Sequence, residues 1–85
     1  MNESVITLEV KKLLLEFMGI KYKELIESNV SRGLQILLSV SSQAVAFLTL
    51  LEDEFGIEFE DEEIDVEFFN DIKVVSNLIM NKLNN

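Results

Sequence analysis

Residues 37–63 read LLSVSSQAVAFLTLLEDEFGIEFEDEE. Three serines, Ser39, Ser41 and Ser42, stand ahead of an apolar run that ends at Phe55-Gly56 and a burst of acid. Helical spacing predicts one helix from about Ser42 to Phe55, roughly 20 Å long. Ala44, Leu48, Leu51 and Phe55 form its expected core stripe, with Val45 and Phe47 beside it and Leu50 at the margin. Ser42, Ala46, Thr49 and Asp53 face away. The apolar arc is wider than a surface helix needs. The serines have two readings. A serine that caps a helix accepts from the N2 or N3 amide and is worth about 1 kcal/mol. A helix start needs one such residue, and here there are three. A helix N-terminus also favours a phosphate group, by roughly 0.3–1 kcal/mol, so a serine there suits attachment of a phosphodiester.

Outward from this stretch, three glycines and no proline punctuate the chain. Ser4 to Met18 follows an amphipathic pattern through Ile6, Val10, Leu13, Leu14 and Phe17, and Gly19 is placed to stop it. Residues 20–39 are less regular. YKELIES suits a turn or two of helix and NVSRG reads as a break. Leu25, Ile26, Val30, Leu34, Ile36 and Leu37 are expected to pin this connection to the core, because twenty structureless residues are unusual in a small domain. Ile64, Phe68 and Phe69 suggest a short helical turn. Asp71, with Asn70 as its rival, caps a last helix from Ile72 to about Leu83. That helix buries Ile72, Val75, Ile79 and Leu83. No alternating strands are found. The expected class is all-α, a single domain over residues 1–85 with three main helices and one short one.

Composition narrows the chemistry. Sixteen acids oppose seven bases, for a net charge of −9. Such a chain repels nucleic acid and anionic membranes, and attracts partners with basic patches. Without cysteine or histidine there is no thiolate metal site, no Ser-His-Asp nucleophile and no histidine base. No serine is followed by lysine in the S-x-x-K spacing. Asp61, Glu63, Asp65 and Glu67 fall at positions 1, 3, 5 and 7 of a calcium loop. However, Val66 stands where that loop needs glycine, and Ile72 where it needs a bidentate Glu. These acids are read as a solvated face. A non-enzymatic, monomeric, soluble cytoplasmic protein is expected. The start MNESVITLEV has no basic n-region, and no apolar run approaches the ~20 residues of a membrane span.

From Ser41 to Leu83 the sequence resembles the acyl carrier protein family, with its peptidyl- and aminoacyl-carrying relatives. LLEDEFGIEFEDEEID resembles that family's passage from its second helix into the following loop. FFNDIKVVSNLI resembles its approach to the last helix. The family's serine lies fourteen positions before the phenylalanine of its acidic "EEF" segment, and counting back from Phe55 gives Ser41. The resemblance implies a four-helix bundle. It also implies a 4′-phosphopantetheine arm on Ser41, transferred from coenzyme A by a phosphopantetheinyl transferase. The arm would hold acyl or aminoacyl groups as thioesters for acyl- or aminoacyl-transferring enzymes of fatty acid, polyketide or related biosynthesis. Ser42 is the fallback attachment point and Ser39 the third. Leu48, Leu51, Phe55, Ile72, Val75 and Ile79 would form an inner lining for an apolar cargo. The match departs from the family's Asp-Ser-Leu motif at Val40 and Ser42, which Gln43 follows, and Ala46 replaces a further acid. A carrier-like domain that has lost the arm and binds proteins is the alternative.

Overall fold

A computed structural model describes residues 2–84 and, within them, every side chain except those of Leu38 and Ser41. The described residues form six α-helices and no strand. Helix α1 spans Glu3–Met18, and a 3₁₀ turn at Ile20–Tyr22 leads into α2, Lys23–Ser28. Then follow α3, Val30–Leu38, and α4, Ser41–Phe55. A second 3₁₀ turn at Asp61–Glu63 precedes α5, Val66–Asn70, and α6, Ile72–Leu83. The all-helical class agrees with the sequence. The helix count does not, because the stretch expected as a pinned connection holds two helices.

Asn29 explains the difference. Its extended backbone (φ −158°) ends α2, and its side chain accepts from the Arg32 amide at 3.2 Å to start α3. NVSRG is therefore a cap and a first turn, not a break. Gly33 sits inside α3 because the helix lies close on its neighbours. A Cβ at Gly33 would stand 2.8 Å from Ile26 Cγ1 and 3.1 Å from Leu14 Cδ2. The glycine that reads as a breaker is a contact point between helices. Val30, Leu34 and Leu37 then share one face at i, i+4 and i+7, and Leu34 and Leu37 are buried.

Several expected devices are present. Gly19 ends α1, its amide donating to the Leu15 carbonyl. Gly56 ends α4 in the left-handed region (φ 65°), where a side chain would be strained, and its amide returns to the Glu52 carbonyl. Asp71, not Asn70, caps α6 by accepting from the Lys73 amide at 2.9 Å. The Ile72 amide donates to Ser31 Oγ at 3.0 Å, which ties the start of α6 to α3.

The core combines Ile6, Val10, Leu13 and Leu14 of α1 with Leu34 and Leu37 of α3. Phe68, Phe69, Val75 and Ile79 close it from α5 and α6. On α4 the buried stripe is Ala44, Phe47 and Leu51. Leu48 and Phe55 are only partly buried, so the stripe is rotated from the one the sequence suggested. Both stripes fit a helical period, and the wide apolar arc hides the choice between them. Ile72 is half-buried and Leu83 exposed. The expected inner lining is divided accordingly. Helix α4 packs chiefly on α1 and α3, whereas α6 packs on α1 and α5. One polar pair is enclosed: Ser76, fully buried, meets Thr7 Oγ1 at 2.7 Å.

Gly33→Ala sets two effects against each other. Alanine favours the helix by about 1 kcal/mol, but overpacking costs about 1–3 kcal/mol. Ile26 and Leu14 are fully buried and cannot step aside. A net loss of up to about 2 kcal/mol in urea unfolding is expected, and a gain would show that the helices have room to part. Thr7→Val should cost about 1–3 kcal/mol by stranding the Ser76 hydroxyl. The double change Thr7→Val/Ser76→Ala should recover most of that loss, which a double-mutant cycle would measure.

Candidate functional site at the start of helix α4

Helix α4 begins at Ser41, one residue earlier than its periodicity suggested. Val40 is its N-cap (φ −122°, ψ 95°), and the valine side chain makes no cap hydrogen bond. The Val40 carbonyl accepts from the Gln43 and Ala44 amides, both at 3.0 Å. The three serines separate by role. Ser39 is the C-cap of α3, and its hydroxyl donates to the Ile36 carbonyl at 2.6 Å. That bond makes Ser39 a terminus for α3, a role that was hidden while α3 itself was unread. Ser42, the second helical residue, is exposed. Ser41 is the first helical residue, and its side chain lies outside the described residues. None of the three is the N-cap of α4, the position that Val40 holds.

Beside this helix start is a pocket of about 310 Å³, near the small end of the roughly 300–1,000 Å³ typical of small-molecule sites. Phe17 and Met18 bring in the end of α1, Tyr22 the 3₁₀ turn, and Ile36 and Leu37 the end of α3. Ser39, Val40 and Gln43 form the side next to Ser41. None of these lining residues is charged. Phe17 is held in place by Phe47, with ring centroids 5.4 Å apart and planes at 57°. The Lys21 ammonium lies 5.8 Å from the centre of the Tyr22 ring, within cation–π range.

The acid is at the other end of the helix. No charged residue occurs from Ser39 to Leu51. Ten of the sixteen acids fall between Glu52 and Glu67, where there is no base. From Ser41 to Glu52 the helix rises about 16 Å, roughly two Debye lengths at physiological salt. Several of these acids have local tasks. Glu52 accepts from the Phe59 amide at 2.8 Å and folds the chain back after Gly56. Asp65 caps α5 by accepting from the Phe68 amide at 3.1 Å. Glu63 accepts from the Glu60 amide at 2.7 Å and pairs with Lys82 at 2.8 Å. The residues that matched calcium-loop positions are thus a 3₁₀ turn followed by a helix cap. Among the described residues no three acids gather as a metal-binding group.

No family model, curated protein or solved structure matches the chain. Among the described residues no helix is long and apolar enough to cross a membrane.

The hydrogen bond from Lys82, followed by that from the Glu60 amide, holds the Glu63 carboxyl below its ordinary value. A lowered carboxylate contributes stability above its unfolded-state titration range and loses it as pH falls through the folded value. Lys82→Met should return the Glu63 titration toward the ordinary glutamate range, as read by carbon-detected NMR. An unchanged titration would show that the ion pair does not persist in solution.

Proposed function

We propose that this chain is a carrier-type domain in which Ser41 receives a 4′-phosphopantetheine arm that holds acyl or aminoacyl groups. The resemblance over residues 41–83 is the starting point. The observation that carries the reading is the start of α4 at Ser41 under a valine N-cap, which makes Ser41 the first residue of that helix. The surroundings suit the group. The start of a fifteen-residue helix favours the phosphate, and the adjoining pocket is uncharged. The attachment would join the Ser41 oxygen to phosphorus as the pyrophosphate bridge of coenzyme A breaks. The hydroxyl proton would pass to the transferase, and adenosine bisphosphate would leave. When bound, the group supplies a thiol that forms thioesters, in a chain with no cysteine of its own. The chain's own part is to present the hydroxyl and to keep charge away from it.

A second reading has its own support. Val40 and Ala46 stand where the family places acids, and the acidic pole lies about 16 Å from the serine. Those acids serve to bring the transferase and partner enzymes to the site, and missing rim charges chiefly slow encounter. On this reading the domain has lost the arm and binds proteins.

Intact mass spectrometry separates the two. The protein would be incubated with coenzyme A and several phosphopantetheinyl transferases, including one from the same genome. The expected result is one added phosphopantetheine, lost in Ser41→Ala and kept in Ser42→Ala, with free thiol rising from none to one per chain. An adduct lost only in Ser42→Ala moves the site by one residue. No adduct with any transferase overturns the carrier reading, and an adduct that forms only in Val40→Asp points to an arm given up.

A further inference from the structure

We infer that the pocket between the end of α1, the Ile20–Tyr22 turn and the α3–α4 junction seats the pantetheine chain, holding it on the flank of the bundle. This inference rests on Ser41 as the attachment point. The alternative resting place, the core lined by α4 and α6, is packed with buried side chains. Phe47 and Leu51 of α4 and Val75 and Ile79 of α6 are fully buried in the core, and α4 and α6 are not principal neighbours.

The pocket has the right position and the right chemistry. Val40 and Gln43, on its near side, flank Ser41 in the chain, one residue before it and two after. A chain tethered at Ser41 therefore needs no long reach. The lining is neutral throughout, so a charged ligand would meet no counter-charge inside and would lose hydration without compensation. The Phe17 ring and Val40 offer apolar surface to a branched methyl segment. The Gln43 amide and the Tyr22 phenol offer donors and acceptors to amides. Pantetheine is such a chain: uncharged, with amides and a dimethyl-bearing carbon. A short flexible tether supplies an effective concentration of about millimolar. A site too weak to hold the free molecule at cellular concentration would still be occupied by the attached one.

Tyr22 reports directly, because it is the only tyrosine and there is no tryptophan. Two measurements test the seat. Free pantetheine titrated into unmodified protein should change Tyr22 fluorescence saturably, with a Kd of about 1 mM. The change should vanish in Gln43→Phe, which fills the pocket from an exposed helix position. In protein loaded by a transferase and verified by mass, acrylamide quenching of Tyr22 should fall about twofold relative to unloaded protein, as expected for a half-occupied site. Loading with unchanged quenching and no response to free pantetheine overturns the seat and leaves the carrier reading standing. A saturable response to free pantetheine without loading by any transferase supports the pocket and overturns the attachment. Absence of both overturns both.

Discussion

The close seat of α3 on Ile26 and Leu14 at Gly33 fixes most of what surrounds it. With 2.8 Å and 3.1 Å to the nearest side-chain carbons from an ideal Cβ, only glycine allows this approach. Helix α3 then contacts α1, α2, α4, α5 and α6 and acts as the hub of the bundle. Its C-terminus determines where the chain turns, through Ser39 and Val40, into α4. The pocket beside that turn is lined by the ends of α1 and α3 together with Tyr22 of the 3₁₀ turn. A looser α3 would let Ile36 and Leu37 drift and would close or open the pocket with them. The local geometry of the candidate site is thus inherited from a helix contact in the core.

The second organising constraint is the separation of charge. Outside residues 52–67 the other 69 residues carry six acids against seven bases, close to neutral. The negative field therefore belongs to one end of α4 and to the segment that follows it. That segment folds with few apolar anchors: Phe59 on Phe68 edge to face, with centroids 5.3 Å apart, and Phe68 on Phe69 at 5.1 Å. Glu52, Glu63 and Asp65 use their carboxylates to hold backbone amides, which secures the chain without adding apolar surface. Lys82 is the one base paired with an acid among the described residues. The remaining acids stay solvated, where their mutual repulsion is screened by salt.

Much of the fold was legible in the sequence, and what was missed has identifiable causes. Helix α1, its stop at Gly19, the Gly56 end of α4 and the Asp71 cap of α6 all follow from local rules that tertiary contacts did not override. Helix α3 was missed because Gly33 carries opposite meanings in a lone sequence, a break or a close approach, and only the neighbours decide. With α3 unread, the task of Ser39 could not be seen. Periodicity puts the stripe of α4 on Leu48 and Phe55 where the structure buries Phe47, because an apolar arc that wide fits more than one rotation. The Thr7–Ser76 pair joins residues 69 positions apart and leaves no periodic trace. At the candidate site, the serines are visible in the sequence, and only the resemblance ranks Ser41 above Ser42 and Ser39. The pocket was not visible, since its lining comes from four separate segments.

The distance between the acidic pole and the start of α4 limits how any partner can read this end of the molecule. At physiological salt a field fades over about 8 Å, so the pole draws in basic surfaces without aligning them on Ser41. What a partner meets there is neutral: exposed Val40 and Val45, Ser42 and Gln43, and the rim of the pocket. Recognition at this end has to come from shape and apolar contact, while the pole contributes to the rate of encounter. A partner that needs both must span the length of α4, roughly 22 Å for fifteen residues. Placing an acid at position 40 would therefore change more than one side chain. It would move part of the negative field to the start of α4, from which the present charge distribution keeps it apart.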